Sequence, residues 1–222
     1  MEHNRIALIA SLDTKLQETL YAKHEIESCG GQGLIIDIST KTLMDAGAAV
    51  GPADILARYG MTWEEFGPLD KAQSIETMSN ALTAVMPALY AEGLFDAVIS
   101  IGGGQNARMA AAAMKSLPFG VPKIVASSLA CGRRTMEQYV GDKDIMVVHT
   151  VADISGLNYT TKTVIHNVCH AALGMLQYQR QVTPDSRKKI AATMLGITSK
   201  GVEGALRLLP DGTYEKTCFH AN

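Results

Sequence analysis

The sequence predicts an α/β protein: a Rossmann-like parallel sheet flanked by helices, followed by the start of a second α/β domain. Three observations carry this. Short apolar runs at 6–10, 33–38 and 95–101 alternate with longer segments in which apolar residues recur every three or four positions. The first forty residues already read strand, helix, strand, an order that a right-handed crossover joins into a parallel pair. Finally, residues 100–107 set Gly102, Gly103 and Gly104 between an apolar run and an alanine-rich segment. A strand, a glycine turn and a helix start in that order aim backbone N–H groups and a positive helix end at one point, where an anion is stabilised.

Taken in order, residues 6–10 form the first strand, and Ser11 opens a helix that runs to Ser28. Thr14 and Gln17 have the capping-box spacing, and Cys29-Gly30-Gly31 ends the helix. Residues 33–38 are the second strand. Residues 39–70, with several glycines, Pro52, Pro68 and the single tryptophan Trp63, read as a surface excursion with a short helix near 53–59. Ile75, Met78, Leu82, Val85 and Leu89 make one face of a long helix over 71–92, in which Pro87 removes a backbone bond and predicts a kink. The strand at 95–101, a helix over 108–115 and a strand over 123–127 follow. The polar stretch 128–144 predicts a mobile loop near the ligand; 145–150 is a strand and 159–177 a helix. Pro184 marks a linker over 179–188, and the segments at 190–195, 200–208 and 214–219 start a second β-α-β. The expected domains are therefore 1–185, which binds the ligand, and 186–222, an incomplete second domain.

Composition narrows the function. With 222 residues, 47% hydrophobic, the chain supports a sizeable core. A net charge of −2 gives no electrostatic footprint for nucleic acid or anionic lipid. No apolar run reaches the length of a membrane span, and the first residues lack the form of a signal peptide. Four scattered cysteines without CxxC spacing fit reduced thiols in a cytoplasmic protein better than disulfides or a zinc knuckle.

The candidate site gathers at the carboxyl edge of the sheet, where α/β proteins bind ligands. Gly102, Gly103, Gly104, Gln105 and Asn106 are expected to cradle phosphates. Asp13, Thr14 and Lys15, after the first strand, reach the same edge. There Lys15 meets a phosphate as a point charge, and Asp13 holds a ribose hydroxyl or a magnesium ion. Asp37, Ser127 and Ser128 end strands at this edge too. Gly102-x-Gly104-x-x-Ala107 also fits the dinucleotide fingerprint, but no acidic residue stands about twenty positions on to take the ribose. No P-loop string occurs. Cys131, near Arg133 and Arg134, has a nucleophile's charge environment but no partner for a triad, and a packed thiol is the simpler account. His166 and His170 have the one-turn spacing of helix-borne metal pairs. Asn167 replaces the glutamate of the metalloprotease motif and no third ligand is near in sequence, so no metal is expected.

Several segments together resemble a known family: residues 11–15, the glycine loop after 95–101, residues 123–127 leading to Cys131-Gly132, Tyr139-Val140-Gly141, and above all residues 151–158 ending in Asn158. The chain is similar, along nearly its whole length, to the ATP-binding domain of the tomato mosaic virus resistance protein and its uncharacterised bacterial relatives. That resemblance implies ATP as the ligand, self-association into a dimer or higher oligomer, a second α/β domain after the linker, and Gly132 and Asn158 as further site residues. Relatives continue into a complete second domain, so the remainder is expected in cis or in trans. One departure stands out: the family's loop continues with glycine and threonine where this chain has Gln105-Asn106. A protein-interaction module that uses ATP as a regulator, and a sugar-phosphate or carboxylate enzyme domain, are the alternatives.

Overall fold

Arg5–Ala10, almost unbroken in apolar character, forms β1, and every residue after Arg5 is buried. A strand buried on both faces belongs in the middle of a parallel sheet. β1 lies between β2 (Gln32–Asp37) and β3 (Ala97–Gly102), followed outward by β4 (Lys123–Ser127) and β5 (Met146–His149), all parallel in the order β2-β1-β3-β4-β5. The computed structural model describes residues 4–131, 136–178 and 185–221.

Side chains alternate across the sheet with the two-residue period of a strand. Ala7, Ile9, Val98 and Val125 enter one apolar layer with α2 (Pro52–Tyr59), α3 (Trp63–Phe66), α4 (Lys71–Ala91) and α5 (Gly104–Lys115). Ile6, Leu8, Ile99 and Ile124 enter the other, against α1 (Leu12–Ser28) and α6 (Tyr159–Gln177). Because β1 and β3 are neighbours while their helices leave to opposite faces, the loops after them part and open a crevice at the carboxyl edge. That is the topological switch point of a doubly wound sheet.

Three local expectations change. Thr14 does not cap α1: Ser11 is the N-cap residue, the Thr14 hydroxyl donates back to the Ser11 carbonyl at 3.3 Å, and Lys15 breaks the helical dihedrals (φ −131°, ψ 26°). The donors that a cap would satisfy are taken by β2 instead, as shown below. The helix after the glycine loop begins at Gly104, a full turn before residue 108. Within 128–144, Met136–Val140 forms a π-helical turn that buries Tyr139 and Val140 in the core. The long helix α4, by contrast, runs through Pro87 to Ala91, within one residue of the expected end, with the proline on its exposed side.

The chain divides into two compact units, residues 1–179 and 180–222. The second contains β6 (Lys188–Met194), α7 (Ser199–Arg207) and β7 (Tyr214–His220), with β6 and β7 parallel. Arg187 braces its entry by pairing with Asp185 and donating to the Asp211 carbonyl at 2.5 Å. Among the described residues, no helix is long and apolar enough to cross a membrane.

Candidate functional site

The turn after β1 and the turn after β3 are pinned to each other by one side chain. Asn106, 7% exposed, accepts from the Ser11 N–H at 3.1 Å and donates to the Ser100 hydroxyl at 2.9 Å. Its amide therefore serves the architecture of the site, while its backbone N–H stays available. Gly102 makes this possible, since a Cβ there would stand 2.7 Å from Asn106 Nδ2 and 3.0 Å from its Cβ.

The two helix starts facing the crevice differ in a decisive way. At α1, the Leu12 N–H donates to Asp37 Oδ1 at 3.0 Å, the Asp13 N–H donates to the Ser39 hydroxyl at 3.0 Å, and the Thr14 and Lys15 N–H groups return to the Ser11 carbonyl. The backbone N–H groups of residues 12–15 are thus all engaged, and only side chains from this turn face the cleft. At α5, the N–H groups of Gly104, Gln105 and Asn106 have no acceptor among the described residues. These are the orphan donors of a helix's first turn, reinforced by its dipole. Gly103 leads into them with ordinary extended dihedrals (φ −69°, ψ 173°) and nothing within 4 Å of where a Cβ would be. No contact among the described residues requires glycine at 103, and the missing side chain leaves the first turn of α5 open to close approach. Gly104 differs again, for its Cβ would meet Leu129 Cδ1 at 2.2 Å.

Between the two turns lies a cleft of about 370 Å³. Ser11, Asp13, Thr14 and Lys15 form one wall, Gly103 to Asn106 with Met109 the other, and Thr40, Lys41 and Lys71 the rim. The structure thus brings Asp13, Thr14, Lys15 and Gly103 to Asn106 together, as the sequence predicts. Three lysines around one carboxylate favour an anion. Hydroxyls from Ser11, Thr14 and Thr40 complete the polar lining. A second cleft of about 380 Å³ shares Thr40, Lys41 and Lys71 and is walled by Trp63, Gly67, Leu69 and Ser74.

Other predicted residues are placed differently. Asp37 is fully buried: Oδ1 accepts from Leu12, from the Ser39 N–H at 2.9 Å and from the Ser39 hydroxyl at 2.5 Å, and Oδ2 has no partner among the described residues. Burial pushes its carboxyl above the ordinary range, against the pull of those donors. It anchors α1 and does not line the cleft. Ser127 is buried and accepts from the Leu129 N–H at 3.2 Å; Ser128 accepts from the Cys131 thiol, 3.6 Å away. Neither serine lines the cleft. Asn158 caps α6, accepting from the Thr161 N–H at 3.1 Å, and Gly156 beside it donates to the buried Glu18 at 2.8 Å. The specific run 151–158 is thus a docked helix entry. Gly132, with Arg133 and Arg134, and the linker residues 179–184 lie outside the described residues.

Lys41, Lys71 and Trp63 line the two clefts without any signal in the sequence. They come from an irregular segment and two helix starts, and no local pattern marks them.

Comparison with known proteins gives the lineage. Residues 4–181 match the family model described as the N-terminal domain of Uncharacterised protein family UPF0261. The chain belongs to the UPF0261 family. A UPF0261 protein of Clostridium tetani is 30% identical over 220 residues, covering 99% of this chain and 54% of the relative. One of Rhizobium meliloti is 29% identical, covering 98% and 53%. The tomato (Solanum lycopersicum) ToMV resistance protein Tm-1(GCR237) is 27% identical over 239 residues, covering 98% of this chain and 31% of its own length. The UPF0261 chain therefore spans about half the length of these bacterial relatives, and the resemblance to the tomato protein's family is borne out.

Proposed function

We propose that this UPF0261 domain binds a nucleotide, ATP foremost, with its phosphates against Gly103 to Asn106 and its base in the Trp63 cleft. The observation that carries the phosphate site is the open first turn of α5. Among the described residues, three N–H donors there lack an acceptor, and the adjoining glycine has no neighbour to exclude a side chain. Lys15, Lys41 and Lys71 supply the charge that the backbone dipoles do not. ATP rather than another phosphate ester follows from the family resemblance, and the neighbouring aromatic cleft gives an adenine a surface to stack on. Asp13 carries the single carboxylate among the lining residues and would hold magnesium, through water, next to the phosphates. The ion would neutralise phosphate charge there.

Trp63 is the chain's one tryptophan, so its fluorescence reports the base directly. Titration with ATP is expected to quench it saturably, and inorganic phosphate to leave it unchanged. Calorimetry with ATP on the wild type and on Gly103→Asp locates the phosphates. Absence of heat in a folded wild type would overturn nucleotide binding. Saturable heat without a tryptophan signal would move the base away from Trp63.

A further inference from the structure

Away from the cleft, α1 and α6 bring together three metal-ligating side chains distant in sequence. Glu25, 15% exposed, projects from α1 between His166 and His170, which stand one turn apart on α6. His166 Nδ1 is 2.8 Å from Glu25 Oε2 and His170 Nε2 is 3.8 Å from the same oxygen. One ligand atom from each of the three lies within 4.8 Å of the others. Beside them, the Cys29 thiol is 3.6 Å from His170 Nε2.

The pairing does not satisfy itself. Only His166 is at hydrogen-bond distance from the carboxylate; 3.8 Å is too long for His170. The two imidazole rings pack with centroids 4.0 Å apart, so charging both would oppose like charges. One divalent ion resolves this, because it accepts lone pairs from two neutral imidazoles and the carboxylate together. The dimensions suit it. Donors about 2.1 Å from a tetrahedral zinc ion stand about 3.4 Å apart, between the 2.8 and 3.8 Å found, so small side-chain rotations suffice.

We propose that Glu25, His166 and His170 bind a divalent transition metal of the zinc class, with the Cys29 thiolate as fourth ligand. Nitrogen and sulfur donors select zinc, cobalt or nickel over magnesium and calcium. Three side chains group around the ion, and Cys29, 3.6 Å from His170 Nε2, closes the fourth position of a structural site when its side chain turns in. The ion clasps α1 to α6 and shares no residue with the phosphate cleft.

The test is calorimetric titration of zinc chloride into chelator-treated protein, with cobalt chloride followed by visible absorption. One equivalent is expected, with a rise in thermal midpoint on zinc addition. His166→Ala and His170→Ala should each weaken zinc by at least about tenfold and abolish the zinc-dependent rise. The metal-free midpoints of these variants show whether they fold. His24→Ala, a histidine of α1 outside the cluster, should bind as wild type does. Cobalt should show a thiolate charge-transfer band that Cys29→Ser removes. Absence of saturable zinc binding, or equal affinity in the His166→Ala/His170→Ala double variant, overturns the site. A cobalt spectrum without that band removes Cys29 from it.

Discussion

Gly102 and Gly103 are neighbours with the same side chain, yet alanine should have opposite effects at the two positions. At 102 the new methyl would press on Asn106, 2.7 Å from Nδ2, and Asn106 Cβ at 3.0 Å cannot swing clear without the backbone. Displacing that side chain breaks its bonds to the Ser11 N–H and the Ser100 hydroxyl. Each bond contributes about 0.5–1.5 kcal/mol net, and a donor left unsatisfied costs about 1–3 kcal/mol. The sum is about 2–6 kcal/mol, or roughly 4–24 °C in thermal midpoint for a chain of this size. At 103 the methyl meets nothing and the backbone already has dihedrals any residue adopts. A slightly poorer cap and a less flexible unfolded chain offset each other to within about 1 kcal/mol. Gly103→Ala should therefore melt like wild type and still lose ATP, because the methyl fills the space proposed for phosphate. Gly103→Asp adds a charge. A carboxylate about 4 Å from one phosphate charge costs about 1 kcal/mol in water and about 4 kcal/mol near a protein surface, an affinity loss of roughly 5- to 1000-fold. Differential scanning calorimetry and ATP titration on the three variants decide it. If Gly103→Ala melts as low as Gly102→Ala, or binds ATP as tightly as wild type, the assignment of the open glycine to a ligand is wrong.

Other perturbations have equally definite signs. Lys123 is fully buried, with its ammonium donating to the Pro118 and Val121 carbonyls and paired with Asp144 at 2.9 Å. Asp144→Ala should destabilise by about 3 kcal/mol, and adding Lys123→Met should recover much of it, because the buried charge goes too; urea unfolding of the single and double variants tests this. Asp37→Ala deprives the Leu12 and Ser39 N–H groups of their acceptor and should cost about 2–4 kcal/mol. Hydrogen exchange at those two amides should rise while β4 amides stay protected, and uniform loss of protection would contradict the local role. The Tyr21 and His166 hydrogen bonds hold the Glu25 carboxyl below its ordinary value of 4.5. A lowered folded pKa gives stability that is complete above the unfolded value and is lost as pH falls through the folded one. Melting of wild type against Glu25→Gln should therefore converge as pH falls below the ordinary value of 4.5, and a gap that widens there would reverse the assignment.

Much of this architecture is local and hence legible in sequence. β1, β3 and β4 are short apolar runs because both faces of the sheet are covered, and the glycine turn before α5 follows from backbone geometry alone. What escaped the sequence depends on pairing between distant segments. Thr14 and Gln17 have the spacing of a capping box, yet Asp37 takes the donors of α1 because β2 ends beside that turn. Lys41, Lys71 and Trp63 reach the cleft through an irregular excursion whose path no periodicity encodes. Asn158 belongs to the most family-specific run, but its side chain is spent on capping α6. Glu25 and His166 lie 141 residues apart, and only the packing of α1 on α6 makes them neighbours.

The unequal helix starts give the cleft one rigid wall and one compliant wall. Along α5 the donors are backbone groups fixed by the sheet and by the Asn106 bridge, so they test the shape of whatever enters. Across from them, Lys15, Lys41 and Lys71 carry charge on long flexible stems, which follow a ligand's charge and tolerate changes in its outline. Salt screens exposed charges far more than buried dipoles. Raising ionic strength should therefore erode the preference for three phosphates over one, while the stereochemical demands of the first wall persist.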